Sequence, residues 1–339
     1  AKWVSGFSHR SPSMMSVPAV GWSKVRKWPS LMSFASTSAP VINRMWRSCG
    51  NRALMTSATL GGAESDDNQW RFAQFQAQIG VARAQIQLAR AYSPKRFGAM
   101  KIVLADPKAP KPVEAVDETE TRLSKAFIAN TASMVREASR HGPVLVLTAS
   151  FSEAAKLSKA LSCHHTLHER GGALSRAIAA FRERPDILIT PSAWQGTSIR
   201  GADGEQLIQN LVITRIPFLP PQGEMGHLFA RMMAKAAINP IPELKALNIY
   251  HFQLMMATVI KMRQGVGRLL RSPSDEGTLW IADPRFPRTT HSRHRVLRGA
   301  IAKRFHPQLE AARLFNPHSG RTEQPPDEPD DQLKEFVLL

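Results

Sequence analysis

The residues whose types and spacing most directly imply chemistry lie in the run Gln264-Gly265-Val266-Gly267-Arg268-Leu269-Leu270-Arg271. The preceding stretch, HFQLMMATVIKMR, reads as a helix, and at helical spacing Gln264, Arg268 and Arg271 share one face. An amide then stands beside two guanidiniums. A guanidinium is always charged and offers forked donors to phosphoryl oxygens, so such a face suits phosphate and the charge that develops during phosphoryl transfer. A basic solvated helix end, with Gly267 as a packing glycine, accounts for the octapeptide equally well on these residues alone.

Other candidate chemistry is thinner. The phosphate cradle GxxxxGK[ST] does not occur, and Gly is nowhere followed by Lys. The acidic run VEAVDETE at 113–120 imitates a metal-holding motif, but Asp117 followed by Glu120 has capping-box spacing and predicts a helix from there through Ala138. Cys163, His164, His165 and His168 put potential zinc ligands within six residues. Zinc sites draw on two separated ligand pairs and no second pair is evident, so a strand and turn leading to Gly171 and Gly172 is the expectation. With only Cys49 as the other cysteine, neither a disulfide framework nor a four-cysteine zinc or iron–sulfur site fits within the chain.

The elements that must position these residues follow from short apolar runs at 53–57, 101–105, 144–148, 186–190, 211–214 and 278–282, with helical patterns between most of them. This alternation predicts an α/β doubly wound parallel sheet with helices on both faces, whose active residues gather at the carboxyl ends of strands. Residues 1–50 carry seven basic side chains, no acidic one, and Trp3, Trp22, Trp28 and Trp46. That mixture suits a nucleic-acid surface, or equally an irregular segment whose rings pack inward. The stretch from His318 onward, rich in Pro, Asp and Glu, reads as a solvated tail.

The chain has 45 Lys and Arg against 27 Asp and Glu, a formal charge of +18, which favours a polyanionic partner and nucleic acid first. No apolar run is long enough for a membrane helix, and with two cysteines a reducing cytoplasm is the expected compartment. The opening at Ala1, without methionine or leader, is expected of a fragment or domain.

In this context QxxGRxxR, followed by SPSDEGTLWIADPR, resembles motif VI of superfamily 2 helicases in its DinG/XPD form, with Asp275, Gly277, Asp283 and Arg285 matching the family's Asp-x-Gly turn and Asp-x-Arg strand end. Upstream, ILITPSAWQGTSIRG and LVITRIPFLPP look like motif V and its trailing Arg-x-Pro-Phe, matched at Trp194, Gln195, Gly196, Gly201, Arg215, Pro217 and Phe218. ALMTSATL at 53–60 is similar to motif III, and VLVLTASFSEAAKLSKAL at 144–161 to motif IV. The resemblance spans about residues 45–300. One departure is Ser198, where the family has Asp; Asp203 is the candidate to compensate. The DinG variant of type IV CRISPR systems is a plausible member of the matched group.

The resemblance implies a RecA-like helicase domain 2 at 91–306, preceded at 1–90 by the basic segment and closing piece of the first lobe and followed by a tail at 307–339. It implies an ATP-dependent helicase moving 5′ to 3′ on single-stranded DNA, with ATP and Mg²⁺ shared with an upstream lobe. Arg268 and Arg271 would act as arginine fingers, Arg271 foremost, and Gln264 would orient them. Gln264, Gly267, Arg268, Arg271, Ser57 and Thr59 would serve nucleotide; Trp194, Gln195, Thr197, Ser198, Thr148 and Ser150 would contact DNA. A CRISPR ribonucleoprotein is a further partner this reading admits. The alternative is a non-catalytic nucleic-acid-binding or partner-docking module that keeps the helicase fold. A nucleotide-dependent transferase on the same fold would not explain four motifs in order.

Overall fold

A computed structural model describes residues 14–19, 30–35, 48, 98–115, 121–218, 243–292, 294–316 and 321–323. The chain forms two compact units, one of residues 1–91 with 220–254 and the other of 92–219 with 255–339. In the first, β1 (Met14–Ala19) and β2 (Ser30–Ala35) pair as an antiparallel hairpin. Motif III, with the strand expected at 53–57 and with Ser57 and Thr59, lies outside the described residues.

The second unit is built on an eight-stranded sheet. Its strands are β3 (Ala99–Ala105), β6 (Val144–Leu147), β7 (Thr166–Leu167), β8 (Ile187–Thr190), β9 (Asn210–Ile213), β10 (Glu276–Ile281), β11 (Arg313–Asn316) and β12 (Arg321–Glu323). A separate hairpin joins β4 (Val113–Ala115) to β5 (Thr121–Leu123). The sheet order is β12-β11-β3-β10-β9-β6-β8-β7, parallel throughout except for the β11–β12 pair. Five expected strands reappear within two residues at each end.

Strands β6, β8 and β9 are buried along their whole length, which is why they are continuous apolar runs rather than alternating ones. The two-residue period splits their side chains between the sheet's faces. Leu145, Leu147, Leu188, Leu211 and Ile213 join one core with Ile178, Phe181, Val259 and Met262, from α3 (Leu174–Glu183) and α4 (Glu243–Val266). Val144, Val146, Ile187, Ile189 and Val212 join the other with Val135, Ala138, Ala154 and Leu157, from α1 (Lys125–Ser139) and α2 (Phe151–Ala160). Each fully buried Leu, Ile or Phe contributes roughly 1.5–3 kcal/mol.

Two expectations are corrected. The helix after the acidic run does not start at Asp117: residues 113–115 and 121–123 pair as strands, and α1 begins at Lys125 with Ser124 capping the Phe127 N–H. Cross-strand pairing, with Glu114 bonded to Arg122 at 2.7 Å, overrides the capping-box spacing. The tail also begins later than 307. A short helix, α5 (His306–Glu310), leads to β11, which adds to β3 in parallel and buries Phe315.

Strand β6 leads on to β7 and β8 on one side, whereas its other neighbour, β9, leads on to β10 in the opposite direction. The carboxyl ends of β6, β8 and β9 form a topological switch point, the place where open α/β sheets bind ligands.

Candidate phosphate-facing site

Motif VI is the end of α4 and the turn after it. Gly265 lies where the helix backbone meets the indole of Trp194: a Cβ there would stand 2.8 Å from Cε3 of that ring. Trp194 in turn belongs to the loop after β8, and its Nε1 donates to the Thr148 carbonyl at the end of β6, at 3.0 Å. One side chain thus ties together the three segments read as motifs IV, V and VI.

Trp194 is 3% exposed and Thr148 fully buried. The indole is thus enclosed between α4 and β6 and packs as a core side chain. Lys261, one helical turn before Gly265, places Nζ 5.4 Å from the centre of the same ring, and burial lowers its pKa. Gln195 and Ser198 remain exposed and Thr197 is half-buried, beyond the turn made at Gly196, whose φ of +72° favours glycine.

The two arginines converge on this loop. Arg268 donates from Nε and Nη2 to the Trp194 carbonyl, both at 3.3 Å, and from Nη1 to the Thr197 carbonyl. Arg271 donates from Nη2 to the same Thr197 oxygen at 3.0 Å. Burial and then the neighbouring charge of Arg271 lower the pKa of Arg268. Among the described residues neither guanidinium is paired with a carboxylate. The pair is a concentrated positive charge whose donors rest on backbone carbonyls, an arrangement that fits a polyphosphate.

Ser198 stands where the resembled motif carries Asp, and Asp203, whose backbone N–H donates to Glu205 at 2.9 Å, lines one cleft with Arg200, Arg271 and Asp275. The acid that orders this region is Asp275. Its Oδ2 accepts from the N–H groups of Arg271 and Ser272, at 2.7 and 2.8 Å, and from Arg200 Nη2. Burial would raise its pKa; the hydrogen bond from Arg200 and those two backbone donors outweigh it, and the carboxyl lies below its ordinary value.

Two further acids had no functional expectation from sequence, although both carry a signal. Asp283, two residues past β10, holds Arg285 through both oxygens at 2.9 and 2.7 Å and accepts from the Ile216 N–H at 3.0 Å. Arg285 lies 5.0 Å over the Phe218 ring, so the Asp-x-Arg and Arg-x-Pro-Phe signatures meet in space. Glu153 follows Ser150 at capping-box spacing; Ser150 Oγ accepts from the Glu153 N–H at 3.2 Å and caps α2. Its buried carboxylate accepts from Ala149 N at 3.2 Å, from Arg215 Nε at 2.7 Å and from the Thr214 hydroxyl.

The Cys163–His168 stretch forms β7 and its turn. His164 pairs with Asp186 at 3.0 Å, His165 with Ser158 and the Cys163 carbonyl, and His168 with Thr190 and the Gly172 carbonyl. Their ring nitrogens serve the fold, and no group of three or more His, Cys, Asp or Glu among the described residues could hold a metal. No helix among these residues is long and apolar enough to cross a membrane.

Residues 134–301 match the family described as helicase C-terminal domain. The 3′-5′ exonuclease DinG of Bacillus subtilis (strain 168) is 26% identical over 125 residues, 36% of this chain and 12% of that protein. An XPD helicase structure has a TM-score of 0.50 at 16% identity, covering 76% of this chain and 43% of that one. An apo XPD structure has a TM-score of 0.45 at 17% identity, covering 68% and 44%. The chain thus spans a small part of that DinG protein and under half of the XPD chains. The sheet has the RecA-like fold of helicase domain 2, and residues 134–301 are similar to the helicase C-terminal domain found in DinG and XPD proteins.

Proposed function

We propose that this lobe works in an ATP-dependent helicase that moves 5′ to 3′ on single-stranded DNA. The observation that carries the proposal is the convergence of Arg268 and Arg271 on one carbonyl, with mutual repulsion and no carboxylate on either guanidinium among the described residues. ATP with Mg²⁺, gripped by an upstream lobe of the same protein, would supply the free energy of phosphoryl transfer. Arg271, the more exposed, would bind the phosphates as the finger, and Arg268 would hold the motif V loop in register beside it. Gln264, on the same face of α4, would orient the pair, and Gly267 would lie beside the nucleotide. Ser57 and Thr59 would report the nucleotide state from the first lobe. Gln195, Thr197, Ser198 and Ser150 would contact the DNA backbone.

Steady-state ATP hydrolysis stimulated by single-stranded DNA tests this, in a chain that includes a nucleotide-gripping lobe. Arginine fingers contribute about 10³–10⁵ in turnover; Arg271→Ala should lose a factor of that order while retaining DNA affinity. Equal rates would sink the motor reading.

Ser198, in place of the family's Asp, favours a second reading as a non-catalytic nucleic-acid-binding or docking module. DNA binding without stimulated hydrolysis in the wild type would support it. The exonuclease in the DinG relative's name stays with that protein.

A further inference from the structure

Arg200, which matches none of the motif V positions named above, lines a cleft of about 570 Å³ with Gln206, Arg271, Ser272 and Asp275. It opens a tight turn in which Arg200 and Gln206 form an antiparallel bridge and the Gly201 N–H donates to the Glu205 carbonyl at 3.2 Å. Gly204, with a φ of +77°, lets that turn close. Arg200 Nη1 donates to the Gly204 carbonyl at 3.1 Å, so the turn itself directs the guanidinium, and Nη2 donates to the Asp275 carboxylate.

The opposite wall of the cleft is the motif VI turn. Helix α4 ends at Val266, and the N–H groups that follow turn back on it only as far as Leu269. Arg271 lies past that point, and its N–H is held by Asp275 at 2.7 Å. Asp275 is 3% exposed, and a carboxylate so enclosed needs its charge matched. Arg200 supplies the match; no other ion pair reaches Asp275 among the described residues. Gln206 fastens the same turn, donating to the Leu269 and Glu276 carbonyls at 3.2 and 2.8 Å and accepting from the Glu276 N–H at 2.9 Å. The Arg271 guanidinium, for its part, meets the Thr197 carbonyl at 3.0 Å. Main chain and guanidinium of Arg271 are therefore both anchored on residues 197–206.

We propose that Arg200 is a positioning residue for phosphoryl transfer: through Asp275 it fixes the main chain from which the Arg271 finger extends, so that residues 197–206 and the finger move as one body. The inference rests on the reading of Arg271 given above. Without Arg200 the buried carboxylate must draw in water or a proton, and its hold on the Arg271 N–H loosens.

The test is steady-state ATP hydrolysis stimulated by single-stranded DNA, in a chain that includes a nucleotide-gripping lobe and at a temperature where circular dichroism shows every variant folded. Small misplacements of a reacting group cost on the order of 10²-fold, so Arg200→Met should lower kcat by about 10- to 100-fold and leave KM for ATP within about twofold. Arg200→Lys, which keeps a cation for Asp275, should recover part of that loss. Arg200→Met joined to Asp275→Asn should be no slower than Asp275→Asn alone, because both act along one path. An unchanged kcat in Arg200→Met, no recovery in Arg200→Lys, or losses that multiply in the double variant overturns the positioning role and leaves the finger to be judged by Arg271→Ala. A wild type without stimulated hydrolysis overturns both.

Discussion

Replacing Gly265 by alanine would place a methyl group 2.8 and 2.9 Å from two carbons of the Trp194 ring and 3.0 Å from Leu147 Cδ1. The indole cannot retreat, because its Nε1 is held by the Thr148 carbonyl and its face is buried. Overpacking of this kind costs about 1–3 kcal/mol, and the better helix propensity of alanine returns about 1 kcal/mol. The net expectation is a loss of about 0–2 kcal/mol. At Gly267 a methyl would meet only the Arg263 and Gln264 carbonyl oxygens, at 3.4 and 3.5 Å, which is ordinary contact. There alanine should gain about 0.4–1 kcal/mol by restricting the unfolded chain. Two alanine substitutions two residues apart should thus move stability in opposite directions. Thermal unfolding followed by near-ultraviolet circular dichroism reads the difference, with 1 kcal/mol worth about 2–4 °C in a unit of this size. Trp194→Phe removes the clashing atoms, so the Gly265→Ala penalty should shrink by about 1 kcal/mol in that background. If Gly265→Ala stabilises as Gly267→Ala does, or if Trp194→Phe leaves the penalty whole, the helix does not rest on this indole.

Three further outcomes are expected. Because the folded carboxyl of Asp275 titrates below its ordinary value, its contribution is complete above about pH 4 and is lost as pH falls through the folded pKa. Melting temperatures taken from neutral pH to pH 2 should therefore decline less steeply in acid for Asp275→Asn than for wild type; parallel curves would contradict the assignment. Arg285→Met leaves the buried Asp283 carboxylate with backbone donors alone, and urea unfolding should show a loss of about 1–3 kcal/mol, discounted because Arg285 is one-third exposed. Added zinc should leave the melting temperature of the chain unchanged, since the histidines of 164–168 are bonded within the fold; a zinc-dependent rise abolished by His165→Ala would show a metal site there.

The parallel sheet was legible because its central strands are buried on both faces and so appear as unbroken apolar runs, such as VLVL at 144–147 and ILIT at 187–190. The β4–β5 hairpin and strands β11 and β12 were not, because VEA, TRL, RLFN and RTE hold no unbroken apolar run, whereas β7 lies in the stretch expected to lead as strand and turn to Gly171. Arg268 and Arg271 were legible as a pair because helical spacing and charge are local properties.

The amino-acid sequence by itself determined the alternation of strands and helices, the order of four helicase-like motifs and the placing of two guanidiniums at the end of one helix. Only the tertiary structure decided what those groups meet. Trp194 became a buried tie between strand ends, Asp275 the acid that orders the motif VI turn, and Glu153 the residue that holds Arg215. Each of these pairings joins residues that β-strand order brings together: Trp194 and Thr148 are 46 positions apart, Arg215 and Glu153 are 62, and Arg200 and Asp275 are 75. Local periodicity carries no information across such separations, because which strand ends become neighbours is set by packing of the whole sheet.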